Sequence, residues 1–369
     1  MARFRAAVVG LGRIASTIDD EQTARFEPWA AKPYAHISCY LNDPATQIVG
    51  LADFVAEKRE AARARYGLDV LYADYRDMLR ATRPDIVSIC TSTTPRTDII
   101  VEIASGGYGV KAIWAEKPLA ISLEQADRAI AACRAHGVVL AVNCSRRWDG
   151  VYRRALDLIA AGTIGDVLHV LTLAECPISA QGSHVLTTLT LYTGGRAQWV
   201  VGEVESDAVA ATDNDFKVTA YLGFPNGVRA YLRTFDNGPA EYTTEIIGTK
   251  GLVRIVQDGL SAQLFTLQPP IPGMRGESAG ERLFPMPVPR QTAQANTLAD
   301  ILACVESGAE PKCTGEDARE ALEIAIAARE SHRRGQARVD LPLADRCLRL
   351  LDAHGSERRY RDALAAAKP

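Results

Sequence analysis

What the chain lacks narrows its class first. No apolar run approaches the roughly 20 residues that a membrane-crossing helix needs. The longest, such as Ala6–Val9 and Val138–Val142, are strand-sized, so no membrane association is expected. The first residues, Met1 to Val9, run directly into a strand pattern without the long apolar core and small-residue cleavage site of a signal peptide, and a cytoplasmic location is expected. The 8 cysteines include no C-x-x-C pair and no His-rich tract accompanies them; reduced, mostly buried thiols and no metal centre follow as expectations. Neither sign of charge dominates. The 42 basic and 45 acidic side chains are mixed along the sequence and leave a net charge of -3, which is no footprint for nucleic acid. Internal repeats and low-complexity tracts are also missing.

What is present is a soluble composition, 47% hydrophobic, on a chain of 369 residues, longer than one hydrophobic core usually organises. Two domains are expected, 1–145 and 146–369. In the first, short Val/Ile/Ala-rich runs (Phe4–Val9, Ile48–Ala52, Ile86–Ile89, Lys111–Ala115, Val138–Val142) alternate with segments of helical period (Glu57–Tyr66, Tyr75–Arg80, Asp98–Ser105, Leu123–His136). That alternation signals β-α-β units around a parallel sheet. Ser122 and Gln125 have the spacing of a capping box for the last of these helices. After Arg147 the rhythm changes. A helix at Tyr152–Ala161 and another near His184–Tyr192 are followed mostly by strands, with Pro225-Asn226-Gly227 and Gly248-Thr249-Lys250-Gly251 as tight turns, so this sheet is expected to be antiparallel. Leu267–Arg290 reads as an irregular surface loop. Thr292–Glu306 and Gly315–Arg334 read as helices, and the spacing over Leu341–Lys368 suggests one more amphipathic helix.

Val8-Val9-Gly10-Leu11-Gly12-Arg13-Ile14-Ala15 places G-x-G-x-x-A between a strand and a helix. Glycines at 10 and 12 allow the tight turn and close backbone approach that a pyrophosphate requires at a helix N-terminus, with Arg13 and Ile14 completing the turn. The next strand ends at Asp53, where an acid would accept from the adenosine ribose hydroxyls and so favour NAD over NADP. Arg13 could instead meet a 2′-phosphate, which keeps NADP open. The separation 53 − 10 = 43 exceeds the usual spacing of about 20 residues, so Asp19–Pro33 is expected to be an insertion. Trp114-Ala115-Glu116-Lys117-Pro118 puts a lysine at the carboxyl edge of the sheet, where folds of this kind bind ligands.

Taken together, the glycine turn, the E-K-P at 116–118, and Asn143 with Arg146-Arg147 after the next strand resemble the Gfo/Idh/MocA family, named for glucose-fructose oxidoreductase and inositol dehydrogenase. Gly162-x-x-Gly165, Gly182-Ser183-His184, Gly248-Thr249-Lys250-Gly251 and Thr314-Gly315-Glu316-Asp317 look like its later landmarks, so the resemblance covers nearly the whole chain. It implies an α/β fold: a Rossmann doubly wound parallel sheet, then an α/β domain on an open, mainly antiparallel sheet. It further implies a bound NAD, with Thr91, Ser92, Glu116 and Lys117 beside the nicotinamide ribose. Lys117 would hold the reacting hydroxyl and His184 would act as general acid or base. Arg96 stands roughly where many relatives have a His. The chain departs from the pattern at Ala180 and Thr187, where many relatives carry Asp.

The expected activity is hydride transfer between a secondary alcohol of a sugar or cyclitol and the nicotinamide, with Asn143, Arg146 and Arg147 binding substrate oxygens. The alternatives are transient oxidation that permits elimination or glycoside cleavage, and a cofactor-binding protein without turnover. Trp29 in the insertion is expected to line or cover the substrate cleft. An uncovered face on the second sheet leads to the expectation of a homodimer or homotetramer.

Overall fold

The computed structural model describes residues 3–25, 32–179, 181–236, 238, 242–268, 278–287, 291–351, 362 and 365. Two compact units divide the chain. The first consists chiefly of Met1–Trp148 and Arg290–Arg319, the second of Asp149–Pro289 and Glu320–Ala353. The division is therefore not one cut near residue 145, because the chain returns to the first unit at Arg290–Arg319.

In the first unit β1 (Phe4–Val9), β2 (Thr46–Ala52), β3 (Leu71–Tyr72), β4 (Ile86–Ile89), β5 (Ala112–Ala115) and β6 (Val139–Val142) form a parallel sheet in the order β3-β2-β1-β4-β5-β6. This is the strand order of a dinucleotide-binding fold, with the reversal between β1 and β4. β4 and β5 are buried along their whole length, which is why they read as continuous apolar runs rather than alternating ones. At the expected capping box the Ser122 hydroxyl accepts from the Gln125 amide at 3.3 Å, while the Gln125 side chain accepts from Ile121 rather than from Ser122.

The insertion after the glycine turn has a definite form. α1 (Ile18–Arg25) lies within it, and α2 (His36–Asn42) follows it. The Ile14 carbonyl accepts from the His36 amide at 3.2 Å and the Ala15 carbonyl from Ile37 at 3.1 Å. In an unbroken helix those acceptors would serve residues 18 and 19. The first helix of the fold is thus interrupted after one turn and resumes with 36 − 18 = 18 residues looped out. Subtracting them brings the separation of Gly10 and Asp53 to 43 − 18 = 25, close to the ordinary spacing. Asp19 fastens the resumed helix, its Oδ1 accepting from the amides of Tyr34 and Ala35 at 2.8 and 2.9 Å. A helix start leaves such donors without intrahelical partners, and Ala35 has no side chain to cap them. Helical period did not reveal α2, because seven residues are too few to show it. Phe26 and Trp29 lie outside the described residues, so the expectation for Trp29 stands without a structural account.

In the second unit β7 (Val167–Ala174), β8 (Trp199–Val204), β9 (Val218–Gly223), β10 (Arg229–Thr234), β11 (Tyr242–Gly248), β12 (Gly251–Val256), β13 (Ser261–Leu267), β14 (Ala279–Arg282) and β15 (Val339–Asp340) form one sheet, ordered β14-β13-β12-β11-β7-β10-β9-β8-β15. Every pairing is antiparallel except β7 with β10. One face is covered. Ala230 and Leu232 are buried, and an added Cβ on Gly202 would meet the Ala328 carbonyl oxygen at 2.6 Å, so the helix Gly315–Arg333 lies directly on β8. On the other face Leu173 and Tyr221 are exposed, and Tyr231 is half-buried.

Two expectations are corrected here. β14 lies within the segment expected to be an irregular loop, paired with β13. In the expected tail helix the described stretch Leu341 to Leu351 is not helical, whereas the described residues Asp362 and Ala365 are. That stretch is held by the buried Arg329, which donates to the Arg349 carbonyl at 2.8 Å. Among the described residues no helix is long and apolar enough to cross a membrane. Seven cysteines are buried and Cys347 is exposed, all of them free.

Candidate functional site

The site of the first unit begins at the glycine turn. Gly10 has φ +88°, and a Cβ there would stand 2.9 Å from the Cys90 carbonyl carbon, so only glycine lets the turn after β1 pass the end of β4. Gly12 differs, since a Cβ added to it meets nothing within 4 Å. Its carbonyl accepts from Ser16 at 3.0 Å, opening a helical turn. An open space against a glycine at a helix start fits a pyrophosphate. Asp53 is buried and supports this turn, with Oδ2 accepting from the Leu11 amide at 2.8 Å and Oδ1 from Val55 at 2.9 Å. A carboxylate has about four acceptor positions, so Asp53 retains capacity for ribose hydroxyls. Arg13 is held by Glu21 of α1 in a two-pronged pair, at 2.7 and 2.5 Å.

At the end of β5 the carboxylate of Glu116 is buried, and the Lys117–Pro118 peptide bond is cis. Glu116 Oε1 lies 3.2 Å from His36 Nε2 and accepts from Asn143 Nδ2 at 2.5 Å, while Oε2 accepts from the Lys117 amide at 3.3 Å. Behind it His36 Nδ1 lies 2.9 Å from Ser88 Oγ, which lies 2.8 Å from the Tyr40 hydroxyl. The Trp114 ring covers His36, with centroids 3.8 Å apart. Burial pushes the Glu116 carboxyl up, but the hydrogen bond and charge of His36, the charge of Lys117 and the Asn143 amide outweigh it and hold the group at about 2. With the folded value below the ordinary 4.5, the stability this gives is present above that value and is lost as pH falls toward about 2.

Lys117 is displaced in the way chemistry needs. Burial lowers its ammonium below the ordinary lysine value, Glu116 opposes this, and Arg146 and Arg96 add to it. Arg96, on the helix Thr93–Ser105, is buried and donates to the carbonyls of Pro118 and Thr91. It therefore ties the Lys117 segment to the end of β4, a role no spacing rule indicated. The Thr91 hydroxyl and Asn143 Oδ1 are buried without a hydrogen-bond partner among the described residues. Such atoms at the carboxyl edge suit the hydroxyls of a ribose or polyol. Ser92 is the half-buried residue that precedes the same helix.

The sequence-expected residues thus divide. Gly10, Gly12, Asp53, Thr91, Ser92, Glu116, Lys117 and Asn143 gather at one edge of the first sheet, with Arg146 half-buried in the turn that follows. Arg147 pairs with Asp317 at 3.2 Å and donates to the Lys312 carbonyl, fastening the returning segment. His184 belongs to the second unit, buried near the start of the helix Gly182–Leu191. The Thr187 hydroxyl donates to the Ser183 and His184 carbonyls, so it supplies no carboxylate-like relay, and Ala180 lies outside the described residues. The residues missed were His36, Ser88 and Tyr40. A serine inside the apolar strand Ile86-Val87-Ser88-Ile89 was the available signal, since a buried hydroxyl needs a partner. Among the described residues no group of His, Cys, Asp and Glu could hold a metal.

The Arg13–Glu21 pair generates a test of cofactor choice. Glu21→Ala frees the guanidinium, and NADP+ affinity relative to NAD+ should rise about two- to fivefold, the scale of an exposed ion pair. Calorimetric titration of both cofactors measures it, and an unchanged ratio would show that Arg13 does not face the 2′ position.

Comparison with known proteins agrees with this fold. Residues 4–144 match the model described as "Oxidoreductase family, NAD-binding Rossmann fold", and residues 152–254 match the GFO/IDH/MocA C-terminal domain. Myo-inositol 2-dehydrogenase of Thermotoga maritima is 24% identical over 352 residues, covering 89% of this chain and 96% of that protein. The scyllo-inositol 2-dehydrogenase (NAD(+)) of Bacillus subtilis is 25% identical over 355 residues, 90% of this chain and 95% of that one. Among solved structures, the WlbA dehydrogenase of Bordetella pertussis, in complex with NADH and UDP-GlcNAcA, superposes with a TM-score of 0.69 at 21% identity, over 92% of this chain and 99% of that one. The chain belongs to the Gfo/Idh/MocA family of NAD-binding oxidoreductases.

Proposed function

We propose that the protein is an NAD-dependent oxidoreductase that interconverts a secondary alcohol and a ketone on a sugar, sugar derivative or cyclitol. The observation that carries this is the lysine at the carboxyl edge of the sheet, lowered toward neutrality by burial beside an ionised buried carboxylate. Such a group can take a hydroxyl proton and return it. The inositol dehydrogenases among the relatives support the substrate class.

When bound, NAD supplies the hydride acceptor. Gly10, Gly12, Arg13 and Ile14 would hold its pyrophosphate and Asp53 its adenosine ribose, with Thr91 and Ser92 toward the nicotinamide end. Asn143 Oδ1 would accept from one substrate hydroxyl, and Arg146 would donate to others. In the oxidising direction Lys117 as the neutral amine takes the hydroxyl proton; in reduction the ammonium returns it. His184 would be the second acid-base group. We further propose that the enzyme is cytoplasmic and that the uncovered face of the second sheet, with Leu173 and Tyr221, packs against another copy in a homodimer or homotetramer. Light scattering at micromolar concentration should give at least a dimer mass, and a monomer would contradict it.

Lys117→Ala should lower kcat for polyol oxidation about 100-fold or more while cofactor affinity stays near wild type. In the unmodified enzyme the rate of oxidation should rise with pH, because the amine is the active form, with an inflection below the ordinary lysine value of 10.5. Near-normal kcat in the variant would remove Lys117 from the chemistry. Turnover without stoichiometric NADH release would point instead to transient oxidation.

A further inference from the structure

Glu116 has three hydrogen-bond partners, and their arrangement is directional. Oε1 takes His36 Nε2 and Asn143 Nδ2 on one side, leaving Oε2 toward the Lys117 backbone. We propose that His36 is a positioning residue for Lys117, acting by holding the Glu116 carboxylate back so that it does not close onto the lysine ammonium. This rests on the reading of Lys117 as the proton-handling group.

An ionised Glu116 only accepts, so His36 Nε2 carries a proton and donates. His36 Nδ1 stands 2.9 Å from Ser88 Oγ, donating to it when the ring is charged and accepting from it when the ring is neutral, and Ser88 Oγ meets the Tyr40 hydroxyl. Tyr40 is buried, and burial pushes its phenol well above the ordinary value, so the hydrogen-bond chain has no exit for a proton. It is a buried brace that presents the Nε2 proton to Oε1 rather than a conduit. Three further contacts keep His36 in place. Trp114 lies against the ring, the amide of His36 is bonded to Ile14 across the interruption of the helix, and Asp19 anchors the two residues before it.

The charges acting on Lys117 are Glu116 beside it, Cys144 and Arg146 after β6, and Arg96 from the helix that begins at Thr93. Of these only Glu116 favours a protonated lysine strongly, and a carboxylate free to turn would favour it more. Removing the His36 donor should therefore raise the Lys117 midpoint, whereas removing the Glu116 charge should lower it. If His36 acts through Glu116, the histidine should matter only while the carboxylate is present.

The test is competitive labelling of the purified full chain with acetic anhydride across pH, reading Lys117 by mass spectrometry, which needs no substrate. His36→Leu should move the Lys117 midpoint up by about one pH unit. His36→Gln, whose amide can still donate to Oε1, should stay near wild type. Glu116→Gln should move the midpoint down, and the double variant H36L/E116Q should match E116Q alone. Ser88→Ala, a milder change should H36L fail to fold, should move it up by a smaller amount. A midpoint in H36L and S88A that is unchanged or lowered, or a double variant distinct from E116Q, overturns the proposal. Absence of turnover on a polyol panel would instead defeat the oxidoreductase reading and leave these shifts readable.

Discussion

A carboxylate buried at the carboxyl edge of the first sheet, Glu116, sets the terms for everything near it. Taking a carboxylate out of water costs several kcal/mol unless its oxygens are matched by donors or opposite charge. Here the donors come from separate places in the chain: His36 at the start of α2, Asn143 after β6, and the backbone of Lys117. Each is fixed by the need to be there. The lysine that follows inherits a defined position and a lowered ammonium. Arg96 contributes from the opposite side by bonding the carbonyls on either flank of the site.

The interrupted first helix follows from the same demand. An excursion of 18 residues directly after the phosphate-binding turn could have displaced His36 from Glu116, yet the backbone ladder resumes in register and Asp19 secures the resumed end. The excursion also brings Glu21 to Arg13, which neutralises a cation beside the glycine turn that could have welcomed a second phosphate. Insertion and site are joined through a few polar contacts, each with a defined donor and acceptor.

How much of this could be read in advance depended on whether the signal was local. The glycine turn and the E-K-P are contiguous, so their residues and positions were legible. The parallel sheet was legible because strands buried on both faces read as unbroken apolar runs. The antiparallel character of the second sheet was legible from its tight turns, although the parallel pairing of β7 with β10 was not, since no turn encodes it. The polar network under Lys117 joins residues 36, 88, 116 and 143, and no periodicity links such positions. His36 was further hidden by the excursion, which moved it out of the spacing expected of the first helix. The Arg147–Asp317 pair was hidden because Asp317 lies in a segment that returns to the first unit from far along the chain. The tail misled over its first part, where Leu341 to Leu351 is irregular chain held by Arg329 although its apolar spacing looked helical.

The lowered ammonium of Lys117 and the network around it turn on Glu116 being ionised in the folded protein. Selective carbon-13 labelling of glutamate carboxyl groups, with Glu116→Gln to assign the signal, would follow this one group by nuclear magnetic resonance as pH falls. With the carboxyl held at about 2, its resonance should keep the carboxylate shift through the whole acid range in which the protein stays folded, below the ordinary value of 4.5 as well as above it. A Glu116 signal that titrates at 4.5 or at higher pH would contradict an ionised, buried Glu116.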